Sequence, residues 1–232
     1  MTSMWINDLL QLFYPRLCLL CGNQLTEGEQ YVCLHCFCDL PRANYHKRDP
    51  NPVLKLFAGT IQINEIASFL LFEKDGKVQR MIHAIKYYGN KRLARHLGRI
   101  ASLEMKSDGL FNDIDLLIPV PLHPKKERQR GYNQAEWIAK GIEQVWQYPI
   151  EKDVLHRVMY TATQTRKSIY ERHRTVEEIF AVKNTDLLRG KHILLIDDVI
   201  TTGATLNACI KTLSAIPDIR ISIFSISVVR VL

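Results

Sequence analysis

Apolar runs rich in Leu, Ile and Val mark the predicted strands of this chain. Runs of this kind, bounded by polar or turn-forming residues, are typical of strands that are buried in a sheet. The runs occupy residues 66–73, 115–122, 191–197 and 219–232.

Apolar residues at helical spacing predict the helices between these strands. The segments are 78–105, 133–146 and 202–216. The YYGN sequence at 87–90 divides the first segment into two helices, and Asn133 is a natural N-cap for the second. Strand and helix alternate from residue 115 onward, which predicts an α/β fold with a parallel sheet and flanking helices.

Polar and charged segments connect the predicted elements. The proline-containing segment 43–53 predicts a linker, the basic segment 123–131 a loop, and the charged segment 156–180 a flap. These segments contain no sustained apolar periodicity, so the sequence assigns them no helix or strand.

The N-terminal segment predicts a short amphipathic helix whose apolar side carries Leu9, Leu10, Leu12 and Phe13. It lacks the basic leader and the small-residue cleavage site of a signal peptide. No run in the sequence reaches the about 18 consecutive apolar residues that a membrane span needs. We therefore expect a cytoplasmic protein that is not an integral membrane protein.

Positive charge is concentrated in three parts of the chain, whose net charge is +7. The basic residues gather in 74–99, 121–134 and 152–174. A single basic run is as often a solvated helix face as a binding surface. Three such runs near glycines and prolines favour an anionic ligand, either a phosphate-rich small molecule or a nucleic acid.

The cysteines predict a structural zinc site in the N-terminal part of the chain. Two CxxC turns are separated by eleven residues, and their cysteines are Cys18, Cys21, Cys33 and Cys36. Four thiolates fill the tetrahedral shell of Zn²⁺, and the metal supplies folding energy to a segment too short to bury a core. A redox CxxC pair or unpaired thiols are the alternatives, and Cys38 or His35 could replace one of the ligands.

The stretch ILLIDDVITTGAT at 193–205 predicts a ligand site where a strand turns into a helix. In a parallel sheet, ligands bind beyond the carboxyl ends of the strands. Asp197 and Asp198 suit hydroxyl donors, and a divalent cation such as Mg²⁺ in its water shell. The hydroxyl-rich turn from Thr201 to Thr205 begins a helix, where backbone N–H groups bind phosphate. A sugar phosphate suits both parts of the site, because its hydroxyls can bind the carboxylates and its phosphate can bind the turn.

This stretch resembles the phosphoribosyl-pyrophosphate (PRPP) binding loop of type I phosphoribosyltransferases at each of its positions. The resemblance implies that Asp197 and Asp198 hold the ribose hydroxyls. It also implies that the 5′-phosphate is wrapped by Thr201, Thr202, Gly203, Ala204 and Thr205.

Further motifs resemble the ComF family of competence-associated, phosphoribosyltransferase-like proteins, which includes GntX-type relatives. The motifs are IPVPLHPKKERQRGYNQAE, IKYYGNK, TQT with ERHR, and the paired CxxC turns. The resemblance implies a type I phosphoribosyltransferase-like sheet with an N-terminal zinc ribbon. The pyrophosphate-binding residues would be Lys125, Lys126, Arg128, Arg130 and Gly131, and the flap residues Arg157, Gln164 and Arg172.

The expected organisation has three parts. Residues 1–42 would form the N-terminal helix and zinc ribbon, 43–65 a linker or hood region, and 66–232 the phosphoribosyltransferase-like domain.

The resemblance implies PRPP binding with Mg²⁺ in competence-linked DNA uptake, with pyrophosphate-releasing transfer to an acceptor that the sequence does not identify. Purine-salvage transferases carry a third acid where this chain has Thr201, so hypoxanthine or guanine salvage is not expected. The catalytic residues stay open, with Asp197, Asp198 and Arg130 as the leading candidates.

The alternative function is a non-catalytic single-stranded DNA-binding protein of the uptake machinery that uses the phosphosugar site for regulation. The basic segments and the tyrosines Tyr87, Tyr88 and Tyr132 motivate it, because such proteins combine cationic grooves with stacking aromatic rings. Tyr87 and Tyr88 are nevertheless expected to pack between the two helices that flank them.

Overall fold

The computed structural model describes residues 14–59, 62–157 and 180–231 of the chain. The strands of its central sheet are β1 (Ile63–Phe72), β2 (Leu116–Pro119), β5 (His192–Ile200) and β6 (Arg220–Val229). All neighbours in this sheet are parallel, in the order β1–β6–β5–β2. The predicted parallel sheet is confirmed.

A second, two-stranded sheet lies at the ends of the predicted flap. It pairs β3 (Leu155–Arg157) antiparallel with β4 (Phe180–Val182). Gln164 and Arg172 of the flap lie outside the described residues.

Six helices belong to the described ranges. They are α1 (Leu34–Cys38), α2 (Lys77–Tyr87), α3 (Lys91–Ser107), α4 (Pro124–Arg130), α5 (Gln134–Trp146) and α6 (Ala204–Leu213), with 3-10 turns at Tyr45–Lys47, Pro52–Phe57 and Thr185–Leu187. The predicted break between α2 and α3 is present, and the Asn90 side chain accepts the Leu93 N–H at 3.1 Å. Asn133 caps α5 as predicted by accepting the Ala135 N–H at 3.0 Å. No helix of the described chain is both long and apolar enough to cross a membrane.

Helix α4 corrects the prediction that 123–131 is a loop. Pro124 occupies the first turn, and His123 Nδ1 accepts the Lys125 N–H at 3.2 Å. The helix ends at Gly131, which adopts the left-handed conformation with φ +76°. Its seven residues include no buried side chain, so it has no apolar periodicity by which a sequence pattern could reveal it.

Strand β5 also differs from its prediction, because it continues through the two adjacent aspartates. The prediction ended the strand at Asp197, whereas β5 pairs with β6 as far as Ile200 opposite Val228. Serines on β6 lie opposite the acidic end of β5, and Ser227 Oγ donates to the Asp198 carbonyl at 3.4 Å. Small polar neighbours therefore allow two carboxylates to remain in a strand.

The sheet separates two hydrophobic cores. The first contains residues of α2, α3 and α5 together with Cys18, Cys33 and Cys36 of the two CxxC turns. The second contains residues of α6 and, from the segment predicted as a linker, Ala43, Tyr45 and Val53. Residues 43–53 therefore pack against the sheet through these three buried side chains, although most of the segment is polar.

Two glycines allow α3 and α5 to cross in close contact. A methyl group added at Gly98 would overlap the carbonyl oxygen of Ile138, and one added at Gly141 would overlap that of Arg95. The reciprocal arrangement makes both glycines necessary for this packing.

Candidate phosphosugar site

A pocket of about 410 Å³ opens beyond the carboxyl ends of β1, β2 and β5. This is the position at which α/β sheets bind their ligands. Its lining comprises Phe72, Ile82, His83, Lys86, Tyr87, Val120, Pro121, Leu122, Lys126, Arg130, Gln134, Arg157, Asp197, Asp198, Val199, Thr201 and Thr205. The lining therefore combines two carboxylates and two threonine hydroxyls with four lysine and arginine side chains.

The acid pair at the end of β5 is held in a low-dielectric environment. Asp198 is 4% exposed, and its backbone N–H donates to Asp197 Oδ1 at 2.8 Å. Burial and the neighbouring Asp198 charge raise the pKa of Asp197 to about 7. Lys86 Nζ lies 3.0 Å from Asp198 Oδ2. The pair therefore carries less than two full negative charges near neutral pH, and a cation already contacts it.

The hydroxyl-rich turn follows directly and begins α6. Thr201 and Thr205 line the pocket, while Thr202 Oγ1 accepts the Ala204 N–H at 3.4 Å. Gly203 precedes the helix in the left-handed conformation with φ +74°, close to Leu56. Two residues of the turn thus line the pocket that contains the acid pair, whereas Thr202, Gly203 and Ala204 are not among its lining residues.

The cationic wall comes from α4 and β3. Lys126, Arg130 and Arg157 line the pocket, and Arg130 Nη1 donates to Gln134 Oε1 at 2.8 Å. Lys125 and Arg128 are exposed on α4 and are not among the lining residues, all of which lie in the described ranges. Gly131 ends the helix and sets the direction of the chain after Arg130.

Helix α2 supplies site residues that the sequence patterns did not assign. His83, Lys86 and Tyr87 line the pocket, and Gln134 joins them from α5. A neighbouring cavity of about 280 Å³ is lined by Lys86, Tyr87, Gly89, Lys126, Gln129 and Arg130. The sequence signal that could have identified Lys86 and Tyr87 as pocket residues is the IKYYGNK motif, which contains both.

The tyrosines correct one prediction about this region. Tyr87 and Tyr88 are 66% and 81% exposed, so they do not pack between α2 and α3. Arg130 lies over the Tyr87 ring at 5.8 Å from its centroid. Tyr132, by contrast, is buried, and its hydroxyl donates to the carbonyl of Ile85. Burial raises the pKa of the Tyr132 hydroxyl.

The cysteine cluster forms a second site, away from the pocket. The four Sγ atoms of the two CxxC turns lie within 4.8 Å of one another, and they belong to Cys18, Cys21, Cys33 and Cys36. The N–H groups of Leu20 and Cys33 donate to Cys18 Sγ at 3.4 and 3.3 Å. Among the described residues, Cys38 and His35 are not part of this cluster.

Electrostatics favour a cation at the cluster. Burial acts to raise the pKa of Cys18, but N–H groups of Cys33, Cys21 and Leu20 outweigh it and lower that pKa to about 6. Burial and the neighbouring thiols raise the pKa of Cys36 to about 12. The four thiols therefore cannot all ionise by themselves, whereas a bound metal would stabilise four thiolates. The cluster can hold a structural metal ion.

Comparisons with known proteins agree with this architecture. A family model described as the phosphoribosyl transferase domain matches residues 139–216. Competence protein F of Haemophilus influenzae is 28% identical over 194 residues, covering 83% of this chain and 76% of that protein. DNA utilization protein YhgH of Escherichia coli O157:H7 is 26% identical over 213 residues, covering 82% and 87%. Competence protein ComFC of Bacillus subtilis is 35% identical over 98 residues, covering 42% and 38%.

Among solved structures, a glutamine PRPP amidotransferase from B. subtilis aligns with a TM-score of 0.39 and 19% identity. The alignment covers 56% of this chain and 25% of that chain, so this chain spans about a quarter of the amidotransferase.

The sheet, the site beyond its carboxyl ends and the matched domain define a phosphoribosyltransferase-like protein with a cysteine module. The relatives support the ComF family that the motifs predict: the chain is similar to competence and DNA utilization proteins.

Proposed function

We propose that the protein binds PRPP in the 410 Å³ pocket and acts in competence-linked DNA uptake, with phosphoribosyl transfer as its chemistry. One observation supports this above the others. The acid pair and the hydroxyls of Thr201 and Thr205 line the same pocket as four lysine and arginine side chains, one of which contacts Asp198. PRPP carries ribose hydroxyls, a 5′-phosphate and a diphosphate, which these groups complement.

Each group of residues has a role in this proposal. Asp197 and Asp198 accept hydrogen bonds from the ribose 2′- and 3′-hydroxyls. The backbone of residues 202–204 and the hydroxyls of Thr201 and Thr205 donate to the 5′-phosphate. The cationic wall, made of Lys126, Arg130 and Arg157, binds the diphosphate.

Lys125, Arg128 and Gly131 remain part of the proposal in supporting roles. The two exposed basic residues raise the positive potential along α4, and Gly131 ends the helix that carries Arg130. Gln164 and Arg172 would act from the flap.

In the transfer step, the bond between C1′ and the diphosphate oxygen breaks and a bond from C1′ to the acceptor forms. Asp197 and Asp198 hold the ribose, and Arg130 stabilises the charge that develops on the departing diphosphate. Mg²⁺ would supply further neutralising charge for the departing diphosphate. No third acid follows the pair, because Thr201 occupies that position. The acceptor is therefore not assigned.

Calorimetry with PRPP and Mg²⁺ tests the proposal. We expect wild type to bind, and the double variant Asp197→Asn/Asp198→Asn to lose at least about tenfold in affinity, because carboxylate acceptors are replaced by amides. Asp186→Asn, in an exposed 3-10 turn, is the matched control and should bind as wild type does. Failure of wild type to bind PRPP, or equal binding by the double variant, would refute the assignment.

The proposal includes zinc as the metal of the cysteine cluster, because four thiolates in a tetrahedral set select Zn²⁺. It also includes a cytoplasmic location, since reduced thiols persist in a reducing compartment. The domain boundary at 42/43 is proposed from the cysteine motifs, whereas the expected boundary at 65/66 would fall inside β1 and is moved to precede Ile63.

A second candidate function is single-stranded DNA binding. The observation that favours it is the exposure of Tyr87 and Tyr88, at 66% and 81%, beside the cavity that Lys86, Lys126 and Arg130 line. Exposed aromatic rings next to cations stack nucleotide bases while the cations contact phosphates.

A fluorescence anisotropy titration with labelled oligonucleotides over a salt series separates this candidate from the first. We expect salt-dependent binding of single strands that weakens about tenfold or more in Tyr87→Ala/Tyr88→Ala, because each stacked base contributes roughly 1–3 kcal/mol. Tyr14→Ala removes an equally exposed tyrosine on the cysteine segment and serves as the control. Binding whose affinity is independent of salt and unchanged in the double variant would exclude this function.

A further inference from the structure

Lys86 is placed differently from the other basic residues of the pocket. It lies in the last turn of α2, and its ammonium is 3.0 Å from Asp198 Oδ2. The Lys86 side chain is 21% exposed and that of Asp198 is 5% exposed. The contact is therefore a largely buried ion pair, in which removal of one partner leaves an uncompensated charge.

Lys86 lines both cavities of the site, as do Tyr87, Lys126 and Arg130. It lines the 410 Å³ pocket with the acid pair, and it lines the neighbouring 280 Å³ cavity with Lys126 and Arg130. The lining of the smaller cavity includes no carboxylate. Of the described residues shared by the two cavities, Lys86 is the one whose charged group contacts the acid pair.

A cation beside the acid pair reduces the electrostatic repulsion within the pocket. Two adjacent carboxylates and a diphosphate on the same sugar repel one another, and a low-dielectric pocket strengthens that repulsion. Sites of this chemistry recruit a divalent cation, whose oxygen ligands come from carboxylates and phosphates. In this chain an ammonium with three N–H donors already contacts the buried carboxylate.

We propose that Lys86 is a built-in counter-cation of the acid pair, which takes at Asp198 the place that a divalent cation would otherwise occupy. It makes the acid side of the pocket independent of divalent metal, so that Mg²⁺ is required only through the diphosphate. The part of this inference that concerns PRPP rests on the proposed function. The part that concerns the metal alone does not.

The metal-alone experiment compares thermal unfolding of apo wild type, Lys86→Met and Lys86→Arg over a series of MgCl₂ and MnCl₂ concentrations. In Lys86→Met the unpaired acid pair should bind the metal and raise Tm by about 2–4 °C in millimolar metal. Wild type and Lys86→Arg keep a cation at Asp198 and should show no such rise. Lys126→Met is the matched control, because it removes a pocket lysine that forms no ion pair with a carboxylate of the described residues.

The PRPP experiment measures affinity by calorimetry with and without Mg²⁺. Relative to wild type, Lys86→Met should lose about tenfold or more in affinity without Mg²⁺ and recover most of it in millimolar Mg²⁺. Lys126→Met should lose affinity by a similar factor at all Mg²⁺ concentrations, because it removes a phosphate contact. Lys86→Arg should follow wild type.

The outcomes separate the two proposals. If metal stabilises Lys86→Met alone but wild type does not bind PRPP, the counter-cation stands and the proposed function fails. If PRPP binds and the Mg²⁺ dependence is the same in wild type and Lys86→Met, the counter-cation is wrong and the function stands. Tighter Mg²⁺-free binding by Lys86→Met would identify Lys86 as an obstacle to the ligand, and would also overturn the inference.

Discussion

At the scale of single residues, the ionised form of Asp197 suits the proposed ligand but lowers the free energy of unfolding. Its position at the end of a buried strand next to Asp198 raises the pKa of its carboxyl to about 7. A carboxyl in an unfolded chain ionises near 3.9. Between these two values the folded state binds the extra proton, so the free energy of unfolding falls as pH rises through this window. The ionised form is the one that suits a ribose hydroxyl.

We therefore expect Asp197→Asn to stabilise the protein at high pH while it weakens PRPP binding. At pH 8 the free energy of unfolding should rise by about 2 kcal/mol, a value below the full linkage energy because the side chain is only partly buried. At about pH 3 and below the variant should approach wild type, since the aspartate is then mostly neutral in both states. Urea unfolding at both pH values measures the difference.

Asp186→Asn controls for the loss of one surface charge and should change the free energy of unfolding by less than about 0.5 kcal/mol at either pH. A destabilised Asp197→Asn at pH 8 would mean that the carboxylate is stabilised in the fold by its neighbours, contrary to the raised pKa.

The acid pair was accessible to sequence reasoning, but its partner was not. Asp197, Asp198 and the hydroxyl-rich turn are contiguous, so one local pattern contains them all. Lys86 lies more than a hundred positions away and meets Asp198 only because α2 packs at the same edge of the sheet. Local patterns identify the residues of one loop, whereas charge pairing between elements depends on the tertiary fold.

At the scale of elements, the crossing of α3 and α5 depends on backbone contact at Gly98 and Gly141. Alanine has a higher helix propensity than glycine by about 1 kcal/mol, so propensity alone favours Gly141→Ala. The close approach predicts the opposite: the added methyl would overlap the Arg95 carbonyl and separate the helices. We expect a loss of roughly 2–3 kcal/mol in the free energy of unfolding.

Chemical denaturation of Gly141→Ala beside Gln144→Ala, an exposed position on the same helix, checks this expectation. The control should stay within about 0.5 kcal/mol of wild type. Stabilisation of Gly141→Ala would show that the helices tolerate a wider separation than the crossing implies.

The elements that sequence patterns predicted correctly are those with apolar periodicity. The strands of the parallel sheet and helices α2, α3, α5 and α6 bury one face or both, so their apolar positions repeat. Helix α4 has no buried residue and is defined by Pro124 and Gly131 at its ends. Segment 43–53 buries Tyr45 and Val53 through irregular backbone, for which no period exists.

At the scale of the whole molecule, the cysteine module (residues 14–42, with the two CxxC turns) packs against the main sheet and its helices. Cys18, Cys33 and Cys36 belong to the same hydrophobic core as α2 and α3. The Arg42 side chain donates to the Glu104 carboxylate at 2.9 and 3.0 Å, and the Arg80 side chain donates to the Leu20 carbonyl at 2.9 Å. The chain after α1 also pairs with β1, where the Leu71 N–H donates to the Pro41 carbonyl at 2.8 Å.

Because of these contacts, loss of the metal should destabilise the whole molecule and not the module alone. Removal of one thiolate in Cys21→Ser should abolish stoichiometric metal binding and lower Tm by about 10 °C, since a structural metal contributes directly to folding. Cys38→Ser, an exposed cysteine outside the cluster, should keep both the metal and the Tm of wild type. Elemental analysis and calorimetric unfolding measure the two effects together. Two separate transitions, with the main one unchanged in Cys21→Ser, would show that the core does not couple the module to the sheet.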